Sequence, residues 1–140
     1  MEPLHLNRFI DAHLRDYPNA LSEIKNGRKQ SHWMWYIFPQ IAGLGTTEIS
    51  AYYSIQNLEE AKAYLEEPLL RSHLLEISEA LLALESNDAN KIFGFPDDMK
   101  LKSSMTLFSE ANPDIAVFQK VLDKFFNGIK DQKTIDLLNR

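Results

Sequence analysis

The chain has 140 residues, 44% of them hydrophobic, with a formal net charge of -5 at pH 7. That length fits one domain with one core, the composition is that of a globular chain, and the acidic balance supplies no global field for gathering nucleic acid or anionic membranes. The absence of cysteine excludes disulfides, thiolate zinc sites, iron-sulfur clusters and a cysteine nucleophile.

The opening MEPLHLNRFIDAHL carries charges throughout and lacks the basic start and apolar run of a secretion signal. No apolar segment approaches the roughly 20 residues needed to cross a bilayer, so a cytoplasmic protein is expected. Phe9, Ile10, His13 and Leu14 recur at helical spacing after Asn7. Pro18 is expected to end that helix, because its ring disfavours a helical Tyr17. A second short helix is expected over NALSEIKNG, capped by Asn19 and closed by Gly27.

The next stretch, GRKQSHWMWYIFPQIAGLG, holds both tryptophans together with a lysine, a histidine and a glutamine. A helix between Ser31 and Pro39 places His32 and Tyr36 four apart on one side, with Lys29 near the same face. The rest of its circumference is apolar, so such a helix is buried nearly all round. The strand alternative is buried on both faces and has no visible partner. Gly43 and Gly45 free the backbone for close approach of a ligand or another chain, and Thr46 or Thr47 caps a helix over TTEISAYYSI.

From Leu58 the chain reads as a helix up to Pro68, followed by Leu70, Leu74, Ile77, Leu81 and Leu84 in alternating steps of four and three. Ser86 or Asn87 caps a short turn ending at Gly94. Pro96 opens another helix, with Asp97 and Asp98 in its first turn, and Pro113 ends it. DIAVFQKVLDKFFNG, closed by Gly128, and DQKTIDLLNR complete the chain as helices. No pair of segments alternates apolar and polar residues around a hairpin turn. The expected fold is all-α, a single domain over 1–140 of about seven or eight short helices.

Two polar clusters interrupt this amphipathic pattern. In one, Lys29, His32 and Gln40 lie among aromatics. In the other, KLKSSMTLF, the residues Lys102, Ser103 and Thr106 share a helix side and offer a lysine and hydroxyls to a phosphate or carboxylate. If catalysis occurs, His32 is the group to move a proton. Trp33, Trp35, Tyr36 and Phe38 offer rings for stacking, Arg28, Lys29 and Lys102 offer charge, and the amides near Gly43 and Gly45 offer donors.

Each of these residues also has a plain structural use. His32 can be a satisfied core histidine, the rings can be core, the cations can complement a helix dipole, and Ser103 and Ser104 can be small to let helices approach. His5, His13, His32 and His73 show no metal-ligand spacing, and no metal or cofactor is expected.

The segments GRKQSHWMWYIFPQIAGLG, AYYSI, EAKAYLEEPLL, IFGFPDDMKLKSSMTLF and LDKFFNGIKDQKTIDLL together resemble a family of small bacterial all-α proteins of unknown function, some of which carry the label calpastatin. That resemblance implies one all-α domain and no established activity or cofactor. It also implies shared polar positions at Arg28, Lys29, His32, Gln40, Lys102, Ser103 and Thr106. Relatives tend to carry an arginine where this chain has His73, so a ligand contact there would be weakened or gated by pH. A calpain inhibitor is mostly disordered and repetitive, unlike this chain, so the label is set aside.

The functional expectation is a pocket for a small anionic metabolite of nucleotide-like character, formed where the two polar clusters meet, with no nucleic-acid or membrane partner. The alternative is a non-enzymatic interaction module that presents the aromatic 32–39 segment to a protein partner.

Overall fold

Phe9, Ala12, His13, Tyr17, Ala20 and Ile24 form one buried stripe at helical spacing, and it runs without interruption past Pro18. The first helix, α1, therefore spans Asn7–Lys25 rather than breaking in two as expected. Pro18 removes the amide that would reach the carbonyl of Leu14, but both residues lie on the solvent face, where water can serve that carbonyl. Burial of the continuous stripe outweighs the local cost of the proline.

Among the described residues, 5–140 of this computed structural model, there are nine helices and no strand, rather than the seven or eight helices expected. After α1 come α2 (Met34–Ile37), α3 (Glu48–Tyr52), α4 (Leu58–Glu66), α5 (Pro68–Ala83) and α6 (Ala89–Phe93). Then follow α7 (Asp97–Ala111), α8 (Ala116–Phe126) and α9 (Gln132–Leu138). Helices α2 and α3 fall within the segments expected to be helical over 31–39 and TTEISAYYSI but are single turns, and α6 occupies the expected short turn before Gly94. Asp88, not Ser86 or Asn87, caps α6 by accepting from the amide of Lys91.

The helix α7 is the centre of the molecule, packed against α4, α6, α8 and α9, while α1 packs on α2 and α5, and α5 on α4 and α8. Phe108 of α7 meets Tyr64 of α4 and Phe118 of α8, with ring centroids 5.1 and 5.8 Å apart. Because α7 is enclosed, Ser103, Ser104, Thr106 and Ser109 are buried along with Leu101, Met105 and Leu107. Their small side chains allow close approach of neighbouring helices, and the Thr106 hydroxyl donates to the Lys102 carbonyl one turn back.

The segment between α2 and α4 is closed at its base by a parallel bridge between Ile41 and Ile55, both buried. The amide of Ala42 donates to Ile55 and that of Ile55 to Gln40, each at 2.8 Å. Arg8 secures the same base from below. Its guanidinium donates to the carbonyls of Tyr52 (2.7 Å) and Ser54 (2.9 Å) and pairs with Glu60 at 3.2 Å in a buried setting. The Glu60 carboxylate in turn accepts from the amide of Gln56. A loop that would otherwise be free is thereby held as a fixed wall.

Candidate functional site

Residues 28–33 form a loop and not the start of a helix, because Glu23 gathers them. Its carboxylate accepts from the amides of Gln30 (2.6 Å) and Ser31 (2.9 Å), the Ser31 hydroxyl (2.5 Å) and the indole nitrogen of Trp33 (2.9 Å). Burial alone would raise the Glu23 pKa, but these four donors favour the charged form and bring it down to about 2. The helical face expected to align Lys29, His32 and Tyr36 does not form, and α2 is limited to Met34–Ile37. Trp33, Met34, Tyr36, Ile37 and Phe38 are buried, which leaves Trp35 half-buried and His32 exposed.

Trp35 stands between two adjoining clefts of about 210 and 310 Å³. Both are lined by Trp35, Gln40, Gly45 and Ser50, so they form one groove. The first extends to Gly43, Tyr53 and Gln56, and the second to Thr46, Thr47 and Lys100. Among the described residues no carboxylate lines either cleft, although the chain carries 20 acidic side chains. The α3 wall is set by a reciprocal cap in which the Thr47 hydroxyl accepts from the Ser50 amide and the Ser50 hydroxyl from the Thr47 amide. Gly45 is required there, because a Cβ would lie 2.4 Å from the Ser50 hydroxyl oxygen.

One cation faces the second cleft. The Lys100 ammonium lies 5.3 Å from the Trp35 ring centroid and 3.3 Å from Asp97. Lys29 holds the other oxygen of Asp97 at 2.9 Å, so two lysines share one carboxylate and leave a net positive charge. The side chain of Lys29 is only 7% exposed, packed over Trp33 and donating to the Ser31 carbonyl, whereas that of Lys100 is 26% exposed. Lys100 is the lysine a ligand can reach.

Gln40, Gly43 and Gly45 thus lie on the groove, while Arg28, Lys29, His32, Trp33, Tyr36, Lys102, Ser103 and Thr106 lie outside its lining. Ser103 and Thr106 bind α9 instead. Asp131 accepts from the Ser103 hydroxyl at 2.8 Å and from Thr134 at 2.6 Å, and its amide donates to Thr106. The hydroxyl of Tyr36 donates to Asp16; burial and the Asp16 contact push its pKa up to about 12. The two polar clusters meet through Lys29, Asp97 and Lys100 and through Lys100 over Trp35.

Periodicity missed Lys100, Ser50, Tyr53 and Gln56. The text MKLK holds two lysines two apart, and nothing local says which faces the aromatic segment. Gln56 reaches the groove only because Ile41 pairs with Ile55 across α3.

His73 takes no part in the groove. Its imidazole is parallel within 1° to that of His13, with the two Nδ1 atoms 3.0 Å apart. The His13 Nε2 lies 2.8 Å from the Tyr36 carbonyl, which can only accept, so that nitrogen carries the proton. The His13 Nδ1 is then an acceptor for the His73 Nδ1–H. Burial dominates the His13 pKa, with a further lowering from His73; the Tyr36 contact opposes both, and the net value is about 4. Tyr17 covers His73, ring centroids 3.6 Å apart, and donates to Glu76.

Residues 3–138 match the family described as "Protein of unknown function (DUF1810)". The chain is similar to the conserved hypothetical protein Rv1873 from Mycobacterium tuberculosis, with 40% identity, a TM-score of 0.96 to its crystal structure and 99% of each chain covered. No curated protein matches the chain. Among the described residues no helix is long and apolar enough to cross a membrane.

Proposed function

The chain belongs to this DUF1810 family of unknown function, and from that premise we propose that it binds a small anionic ligand with a flat ring in the groove beside Trp35. The observation that carries this reading is the groove's lining: an accessible indole with the Lys100 ammonium over it, and no carboxylate among the described residues, in a chain of net charge -5. A groove that excludes acids in an acidic protein selects the sign of its ligand. The continuous pair of clefts falls within the size range of small-molecule sites.

Trp35 and Tyr53 supply ring faces, the side-chain amide of Gln40 offers both donors and an acceptor to a ring edge, and Gln56, whose Nε2 donates to Ser54, offers its side-chain carbonyl. The amides of Gly43, Gly45 and Thr46 make no hydrogen bond among the described residues and can serve as donors to an oxyanion. The interaction-module reading has less support, since most rings of the 32–39 segment are buried and fill the core.

The test is thermal unfolding against nucleoside monophosphates, sugar phosphates and dicarboxylates, in the wild type and in Trp35→Ala and Lys100→Ala. A ligand at about 100 times its Kd adds about 2.7 kcal/mol, a shift of several degrees for a domain of this size. The expected result is a shift for a ring-bearing anion that is lost in both variants. A shift that survives in both, or none with any compound, overturns the proposal.

A further inference from the structure

Lys29 lies outside the groove, yet the charge beside Trp35 depends on it. Asp97 opens α7, and its two carboxylate oxygens go to different lysines, Oδ2 to Lys29 at 2.9 Å and Oδ1 to Lys100 at 3.3 Å. The two contacts differ in kind. The Lys29 side chain is buried; its ammonium also donates to the Ser31 carbonyl and lies 5.0 Å from the Trp33 ring centroid, and its backbone amide donates to the Ile92 carbonyl at 2.7 Å. Ser31 and Trp33 are held in turn by Glu23. Lys29 is therefore fixed on Asp97. Lys100 is more exposed, makes the longer contact, and also faces the Trp35 ring and the second cleft.

A lysine that is the only partner of a carboxylate cannot turn to a ligand without leaving that carboxylate bare, and a mostly buried bare charge costs more than an exposed ion pair returns. With Lys29 in place this cost does not arise, because Asp97 stays paired when Lys100 turns to an anion. The next carboxylate, Asp98, makes no ion pair with either lysine among the described residues; it accepts instead from the Met99 amide at 2.9 Å and from the Asn90 side chain. Without the Lys29 charge, Asp97 and Lys100 would form a neutral pair beside Trp35, and an incoming anion would meet the carboxylate as well as the ammonium.

We infer that Lys29 is a positioning residue that decides the ligand charge the groove accepts: it keeps Asp97, so that Lys100 is free to exchange that carboxylate for the anionic group of a ligand on Trp35. This rests on the groove being a ligand site and names the residue that selects an anion over a neutral compound of the same shape without touching either.

The experiment is quenching of tryptophan fluorescence in the full chain by iodide and by neutral acrylamide at fixed ionic strength. The chain has two tryptophans and Trp33 is 1% exposed, so the emission that iodide reaches is that of Trp35. Wild type, Lys29→Met, Lys29→Arg, Asp97→Asn and the double variant Lys29→Met/Asp97→Asn are compared. One unit charge near the ring, screened by salt, changes the local iodide concentration about twofold. Lys29→Met is expected to lower the ratio of iodide to acrylamide quenching about twofold and Asp97→Asn to raise it by about as much, while the double variant and Lys29→Arg keep the wild-type ratio. A role for Lys29 in packing alone predicts a loss that persists in the double variant. That loss, or an unchanged ratio in Lys29→Met, overturns the inference. If Lys29→Met does not fold, the double variant, which strands no carboxylate, is compared with Asp97→Asn; a ratio about twofold lower in the double variant supports the inference and equal ratios overturn it. Iodide quenching needs no cognate ligand, so this test can fail while the compound panel with Trp35→Ala succeeds, and the reverse.

Discussion

Single side chains here are decided by what they are paired with. His13 is an ordinary imidazole by type, yet its Nε2 is committed to the Tyr36 carbonyl and its Nδ1 to His73. A proton on His73 is compatible with that pair, since His73 can still donate to His13. A proton on His13 Nδ1 puts a charge in a buried site and removes the acceptor for the His73 N–H. With the folded pKa near 4 and the ordinary value at 6.5, the unfolded chain binds more protons between those limits. The stability this pair contributes is complete above pH 6.5 and is lost as pH falls toward 4, on the order of 3 kcal/mol over the window. Urea unfolding midpoints at pH 7 and pH 5 check this. The midpoint is expected to be lower at pH 5, and the drop smaller in His13→Gln, whose amide does not titrate.

The groups that face the pair agree with this direction. Tyr17 and Glu76 lie on the His73 side, and Tyr64 and Tyr36 on the His13 side. The hydroxyls of Tyr17 and Tyr64 are pushed above their ordinary range mainly by burial and stay neutral throughout, and Glu67 and Glu76 only partly offset the burial that lowers His73. Glu23 titrates in a separate window. Its contribution is present above pH 4.5 and is lost only as pH falls toward 2, so an acid titration of the wild type meets the histidine loss first.

At the scale of elements, the chain uses polar groups as joints where periodicity suggested a ligand. The KSSMTLF helix spends Ser103 and Thr106 on α9 through Asp131. In Asp131→Ala the hydroxyls of Ser103 and Thr134 lose a charged acceptor, and a loss of about 2 kcal/mol is expected. Hydrogen exchange tests where it acts: the amides of α9 should exchange faster before those of α7, and uniform acceleration across the chain would contradict a local joint. The long helices were readable because each repeats its buried face over several turns, as α5 does from Leu70 to Leu81. The expected break at Pro18 failed for the same reason, since a local breaker was outvoted by a stripe six residues deep on the buried side.

The whole molecule is organised around α7, and its stability is shared among the helices that surround it. Phe108 sits between α4 and α8 and is fully buried. Replacing it with alanine leaves a cavity that three helices line, and the expected cost is about 3 to 5 kcal/mol. Chemical denaturation of Phe108→Ala should show that loss as one transition followed alike by tryptophan fluorescence and helical signal. Two separated transitions would mean that the α1–α5 and α7–α8 parts do not share one core.

The all-helical class, the single core and the places of the long helices after α1 were legible in the chain, because hydrophobic period, proline and glycine act on nearest neighbours. The groove was not. Gln40 and the two glycines were visible as free backbone and an unexplained amide. Their companions Tyr53, Gln56 and Lys100 lie from about ten to about sixty residues away along the chain and arrive through the Ile41–Ile55 bridge and the Asp97 ion pairs. Which tryptophan is core and which is wall depended on Glu23 claiming the Trp33 nitrogen. Side chains brought together by such contacts share no local pattern, so only the closed tertiary structure decides which of the polar residues face a ligand and which hold the protein to itself.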